Sequence, residues 1–376
     1  MSRWKSWTAA AGLTGALGAS FLVAGPTDVA EAAPTLKYTT VVQGLTIPWD
    51  ITWVGPVMLF DERDGSLFSK RGSAAARKVS FPLPKPYVNS EGGLLGMVAD
   101  PKAASNKLFY TCSTSASAKD VRVLRWRLTS DTRAVAVGKP LVTGIPLTSG
   151  RHTGCRLRFS PKGVLYIGTG DAAVGTNPQK KSSLGGKVLR VYSSGTIPKT
   201  NPFYSSGGNA RYVWNYGHRN VQGLAVRPAT GQLFTAEHGS DRDDEVNLVR
   251  KGANYGWNPV PGYNEAVPMT DRQKYPKAVS AVWRSGNPTV ATSGLTFLSG
   301  KRWETWNGAL AVAELKGQDV RLLFLDKAGK VTSTRTMPGA DRFGRIRTLQ
   351  QGPDGLLYLT TSNGGGKDRI IRVTPS

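Results

Sequence analysis

The chain has 376 residues and a formal net charge of +24, with 49 Lys and Arg against 25 Asp and Glu. Its 44 glycines are spread along the chain, which excludes a disordered low-complexity protein and points to many tight turns. The basic residues stand singly among apolar runs, with no basic helix, zinc-finger spacing or RNA-binding signature, so nucleic acid is excluded as partner.

Residues 1–32 read as an export leader. Arg3 and Lys5 form a short basic region, Ala9 to Ala24 is an apolar core, and Ala30-Glu31-Ala32 offers a cleavage site. That core is too short and too rich in Ala and Gly for a membrane span, and no cysteine follows it to carry a lipid. The mature chain is expected to begin near Ala33 and to be secreted or held in the cell envelope. Processing removes two bases (Arg3, Lys5) and two acids (Asp28, Glu31), so the net charge survives. In an exported protein such charge suits anionic cell-wall polymers or a membrane surface. Export also permits disulfides. Cys112 and Cys155 lie in consecutive strand-rich segments; the even count favours a bridge, two buried thiols being the alternative.

After the leader one unit recurs: a Gly near the start, an apolar strand, a Gly- or Pro-containing turn, a second strand, then a charged third. The first runs from Gly44-Leu45 through Trp53, then Val57 to Phe60 and Ser66 to Lys70. The second has Gly93 to Met97, Asn106 to Tyr110 and Val121 to Leu128; the third has Gly154 to Phe159, Leu165 to Gly168 and Gly186 to Val191. The fourth holds Gln222 to Val226, Leu233 to Glu237 and Glu245 to Val249. Gly294 to Phe297, Leu310 to Glu314 and Val320 to Leu325 make the fifth; Arg345 to Gln350, Leu357 to Thr361 and Arg369 to Val373 make the sixth. Units of roughly 40–60 residues with about four strands each predict an all-β, six-bladed propeller of four-stranded antiparallel blades over 33–376. A β-sandwich pair is the alternative. Leu36 to Val42 is expected to complete the last blade, and Gly175 to Leu184 and Asn258 to Arg284 to be loops on the propeller faces.

Propellers bind ligands where the blade starts converge, and the polar residues of this chain gather there. Arg151-His152 opens the third unit, His218-Arg219-Asn220 the fourth and Arg345-Ile346-Arg347 the sixth; Glu91 precedes the second. Glu237-His238-Gly239 and Glu314-Leu315-Lys316 end second strands. Arg219, Lys316, Arg345 and Arg347 would form a cationic ring suited to a polycarboxylate, with His152 able to act as a base near neutral pH. The acidic run Asp241 to Glu245 lacks EF-hand spacing, but the turn beside Gly239 could offer carbonyls to calcium. No HExxH, GxSxG, P-loop or dinucleotide fingerprint is present.

The motifs His152-Thr153-Gly154, Gly217 to Gly223, Glu237-His238-Gly239, Asp244 to Asn247, Asn254 to Trp257 and Gly344 to Arg347 resemble the soluble glucose and aldose sugar dehydrogenases dependent on pyrroloquinoline quinone (PQQ). The resemblance spans essentially the whole mature chain. It implies a six-bladed propeller with PQQ over the channel and calcium beneath it, a sugar substrate and an external electron acceptor. It makes His152 the base toward the anomeric hydroxyl and sets Arg219, with Asn220 beside it, against the quinone oxygen. Lys316, Arg345 and Arg347 would hold the cofactor, with Glu91 close by. The carbonyls of Gly239 and Ser240 would ligate the active-site calcium, and Glu245 with the carbonyl of Tyr255 a structural one. The chain departs from the glucose enzyme in five places. Arg151 replaces an acid that touches the sugar, so glucose is a doubtful substrate and an acidic sugar comes into view. Glu91 replaces glutamine, Cys155 glycine, Ser240 proline and Thr348 aspartate. A propeller that binds wall glycan or anionic polymer at its cationic mouth, without redox activity, is the reading of a different class. A calcium-dependent hydrolase would want more carboxylates facing the channel.

Overall fold

Short apolar runs separated by Gly- and Pro-containing turns close into antiparallel hairpins. In the computed structural model, which describes residues 33–376, these hairpins make six antiparallel sheets, five of four strands and one of five. The leader reading falls on residues 1–32, outside the described residues. Blade 1 comprises Ile51–Val54, Val57–Asp61, Leu67–Arg71 and Arg77–Lys78. Blade 2 has Leu94–Ala99, Leu108–Ser115, Asp120–Ser130 and Val142–Pro146, with Arg133–Ala136 paired beside the third. Gly154–Phe159, Val164–Thr169, Lys187–Tyr192 and Val213–Tyr216 build blade 3. Blade 4 is Val221–Val226, Leu233–Glu237, Glu245–Leu248 and Trp283–Arg284. Blade 5 is Thr292–Phe297, Leu310–Glu314, Asp319–Leu325 and Val331–Thr336. In blade 6, Ile346–Gln351, Leu357–Thr361 and Asp368–Pro375 are joined by Leu36–Leu45, which pairs antiparallel with the last of them.

The first strand of each blade touches the first strand of the next, and those of blades 6 and 1 close the ring. There is accordingly no single core. Six apolar clusters each fill one seam between adjacent blades: Leu59, Met97, Phe109 and Trp126 between blades 1 and 2, for example, and Phe234, Leu295 and Leu310 between blades 4 and 5. Being covered on both faces, middle strands such as Val57–Asp61 and Leu310–Glu314 are buried at every residue. That is why they read as continuous apolar runs rather than alternating ones.

Two boundaries differ from the sequence expectation. Gly44-Leu45 ends the closing strand of blade 6 instead of opening blade 1, because its partner there is Asp368. Within the expected loop Asn258 to Arg284, the last two residues pair as the outer strand of blade 4.

The seam between blades 2 and 3 also carries a covalent tie, the Cys112–Cys155 disulfide, which closes a loop of 43 residues. Loop-closure entropy at that length corresponds to about 4 kcal/mol. The Cys112→Ala, Cys155→Ala protein is expected to lose that much in a denaturant titration; an unchanged midpoint would show that the tie adds nothing to an already packed seam.

Candidate active site

Because the six inner strands run in the same sense, their first residues meet at one mouth of the channel. His152 sits just before the inner strand of blade 3, 3% exposed and with a left-handed φ of 55°. Its carbonyl occupies the space a side chain at 170 would need, since a Cβ built on Gly170 would lie 1.9 Å from it. Glycine at 170 therefore lets the His152 backbone press against blade 3's second strand, whose next residue is Asp171.

His152 Nδ1 lies 2.9 Å from Asp171 Oδ1 and 2.8 Å from the Tyr263 hydroxyl. Asp171 is fully buried. Its Oδ2 accepts from Tyr263 (2.7 Å) and from the Trp257 indole N–H (2.8 Å), and its Oδ1 from the Ala173 amide (2.8 Å). A carboxylate only accepts, so Nδ1 carries the imidazole proton and Nε2 keeps its lone pair for a substrate. Burial, with the Asp171 charge adding to it, raises the Tyr263 pKa and holds that hydroxyl as a donor.

Arg219 opens blade 4 across from this pair. Its guanidinium is 5.6 Å from the centre of the Trp257 ring, donates to the His238 carbonyl (3.2 Å) and bonds to Glu265. The other Glu265 oxygen takes Arg151 at 2.6 Å, so one carboxylate from the loop after Asn258 bridges the two arginines. Burial would raise the Glu265 pKa, but the two guanidiniums outweigh it and hold the carboxyl below its ordinary range. Arg151 also lies 5.6 Å over the Tyr263 ring. Arg151, Tyr263 and Glu265 thus rim the space above His152.

Deeper in, Glu91 Oε2 accepts from Asn220 and Gln222, each at 2.9 Å. Gln222 in turn accepts from Arg347 (3.2 Å), which lies 4.0 Å over the Trp49 ring. Burial and then the neighbouring Arg156 lower the Arg347 pKa to about 9. Arg345 donates to the carbonyls of Ser362 and Leu315, placing it beside Lys316, whose amine is 3.4 Å from Thr289 Oγ1. Three buried nitrogens at this mouth, Arg219 Nε, Arg347 Nε and His238 Nε2, have no partner among the described residues. Burial, followed by Arg347 and Arg219, pushes the His238 pKa down to about 3, so it stands neutral.

The acidic run of blade 4 resolves into separate jobs. Asp244 is consumed by backbone: it accepts from the amides of Gly239 (2.8 Å), Val290 (2.7 Å) and Ala291 (2.5 Å). This folds the 239–244 loop so tightly that a Cβ on Gly239 would lie 2.0 Å from the Arg242 carbonyl. Glu245 stands directly across the ladder from Glu237, both 1% exposed. Glu237 is occupied by His218 Nδ1 (2.8 Å), the Arg219 amide (2.8 Å) and Asn247 (2.9 Å). Glu245 has Thr270 (3.1 Å), Asn247 (3.2 Å) and Arg284 (3.3 Å), while Asn247 Oδ1 stays unpartnered. Tyr255 stacks on His218 at 4.5 Å, beneath the same pair. Among the described residues, no three His, Cys, Asp or Glu side chains converge as a metal cage.

Of the sequence candidates, His152, Arg219, Asn220, Glu91, Arg347 and Arg151 form one connected set. Arg345 and Lys316 form a neighbouring pair, and Glu245 and Tyr255 lie on the far side of Glu237. Sequence reasoning missed Asp171, Tyr263 and Glu265.

A propeller with this mouth is a sugar-oxidising enzyme by descent: the chain belongs to the Glucose / Sorbosone dehydrogenase family, whose model matches residues 45–372. It is 32% identical over 362 residues to the aldose sugar dehydrogenase YliI of Escherichia coli, covering 92% of this chain and 94% of that one. To quinoprotein glucose dehydrogenase B of Acinetobacter calcoaceticus it is 26% identical, over 90% of this chain and 88% of the other. The PQQ-bound form of the aldose sugar dehydrogenase of Streptomyces coelicolor superposes with a TM-score of 0.74 at 28% identity, covering 92% of this chain and all of that one. The chain is therefore an oxidoreductase acting on aldose sugars.

Proposed function

We propose that this chain is an exported, PQQ- and calcium-dependent dehydrogenase that oxidises the anomeric carbon of an aldose to the lactone, with His152 as general base. The observation that carries this is the His152–Asp171 pair at the same mouth as buried guanidinium nitrogens that have no partner among the described residues. Buried polar atoms are ordinarily satisfied, so unpaired donors at a channel mouth call for an anionic, acceptor-rich ligand. A tricarboxylic quinone has that chemistry. Arg219 and Asn220 would meet its carbonyl oxygens, and Lys316, Arg345 and Arg347 its carboxylates, with Glu91 as a fixed acceptor among them. Bound there, PQQ would supply the hydride acceptor.

The protein's own part is proton removal and positioning. His152 Nε2 would take the anomeric hydroxyl proton, and Asp171 would stabilise the imidazolium that results. Arg151, half exposed at the rim, would contact the sugar. For calcium, the carbonyls of Gly239 and Ser240 accept no hydrogen bond from the described residues, and uncommitted carbonyl oxygens suit a hard cation. The buried Glu237–Glu245 pair and the unpartnered Asn247 oxygen likewise suit a structural cation, held by Glu245 and the Tyr255 carbonyl. Electrons would leave to an external acceptor, and the basic surface would keep the enzyme near anionic wall polymer or membrane.

Titrating the apoprotein with PQQ and CaCl₂, then following dye reduction over a panel of aldoses, tests this. Saturable PQQ binding and aldose-dependent reduction are expected. No binding at micromolar PQQ would reject the reading and leave the glycan-binding propeller in its place.

A further inference from the structure

The opposite mouth of the channel holds a different kind of site. The inner strands of blades 2 to 6, six residues each, carry the chain roughly 17 Å from the catalytic mouth. At that far end a concavity of about 500 Å³ opens between five of the six blades. Blade 3 supplies its only charge. Arg156 and Arg158, two residues apart on one strand face, form successive tiers across the channel. Arg156 donates to the Gln222 carbonyl (2.8 Å) and Thr348 (3.0 Å); Arg158 repeats this one step down, donating to the Leu224 carbonyl (3.1 Å) and Gln350 (2.8 Å). The tiers differ in one respect. Arg156 has a counterion, Asp50 at 2.8 Å, whereas Arg158 has no carboxylate partner among the described residues.

Arg158 is half-buried at the cavity wall, and a guanidinium drawn partly out of water with no carboxylate in ion-pair contact keeps charge to offer a ligand. Burial lowers the Arg158 pKa to about 10. Its fork has five N–H donors, of which Leu224, Gln350 and the Leu295 carbonyl (3.3 Å) engage three. No Asp or Glu lines the cavity. Its walls are mainly apolar, with Trp53, Phe159, Val226 and the turn prolines Pro161, Pro228 and Pro353 around the single cation. Small-molecule sites of this volume characteristically pair an apolar lining with a few placed polar groups.

We propose that this distal mouth is a binding site for a small amphiphilic carboxylate, its carboxylate on Arg158 and Gln350 and its hydrocarbon part against Trp53, Phe159 and the prolines. The site is separate from the sugar-oxidising mouth and does not depend on PQQ. Octanoate and benzoate are suitable probes, with octanol, benzamide and inorganic phosphate as controls, titrated calorimetrically into the full mature chain. For a ligand of about ten heavy atoms a Kd on the order of 0.1–1 mM is expected. Arg158→Gln should weaken binding at least tenfold. Because loss of the arginine could disturb the channel, Val226→Glu provides a second arm: it keeps Arg158 and supplies a competing carboxylate in place, and should weaken binding likewise. Both variants should retain aldose turnover, since neither position lies at the sugar-oxidising mouth. The proposal is overturned if octanoate shows no saturable binding at 10 mM (an order-of-magnitude ceiling above the expected Kd). It is overturned too if both variants bind as wild type does, or if phosphate binds as tightly as octanoate, since the apolar wall would then contribute nothing.

Discussion

Asp171→Asn is expected to lower aldose turnover by about 10³–10⁴-fold, with KM for sugar and affinity for PQQ changed less than about threefold. The carboxylate accepts from His152, Tyr263, Trp257 and the Ala173 amide. An amide at 171 must turn its NH₂ toward one side of that set. If it faces His152, Nδ1 becomes the acceptor and the proton moves to Nε2, where a base is required. If it faces Trp257 and Tyr263, two donors oppose a third. Either arrangement removes the lone pair from the reacting side or unseats the ring. His152→Ala should cost as much by deleting the base outright, and should leave folding and PQQ binding intact. The pH profile separates a positioning role from a merely structural one. Asp171→Asn should shift the pH dependence of kcat/KM, whereas a packing defect would scale the profile without moving it. Wild-type rates in either variant would mean that the proton is taken elsewhere.

The second large effect concerns stability. Burial and then the charge of Glu237 raise the Glu245 pKa to about 8. The unfolded chain titrates this group near its ordinary 4.5. Between those values the folded state holds more protons than the unfolded one, so stability falls as pH rises through the window. On the order of 3 kcal/mol is at stake, or about 5 °C in a protein of this size. A cation bound at Glu245, as proposed, would replace that proton and reverse the trend. EDTA-treated protein should therefore melt lower at pH 8 than at pH 5.5, calcium should restore the loss mainly at pH 8, and Glu245→Gln should flatten both responses. A metal-free Tm that does not change across this range, or that calcium leaves alone, would remove the buried pair as a cation site.

The propeller was legible because its hairpin pattern repeats, and because every seam needs apolar residues on both sides of a blade. The polar residues at inner-strand starts stood out for the same reason: they interrupt that pattern at equivalent places. Asp171 carries a signal of the same kind. Phe60-Asp61, Gly170-Asp171, Ala236-Glu237 and Ala313-Glu314 each put an acid at the end of a second strand, facing the mouth. Tyr263 and Glu265 had none. They lie in the long loop after Asn258, whose course is set by Asp171, Arg151 and Arg219, contacts that no local periodicity records. Strand ends were least legible where pairing with a distant partner decides them, as at Gly44-Leu45, which Asp368 draws into blade 6.

That last pairing bears on how the protein is made. Leu36–Leu45 lies hydrogen-bonded along Asp368–Pro375, so the ring stays open, with one seam unsealed, until residues 368–375 have been synthesised. A chain cut before residue 368 would therefore leave Leu36–Leu45 without its partner and blades 6 and 1 without their shared seam.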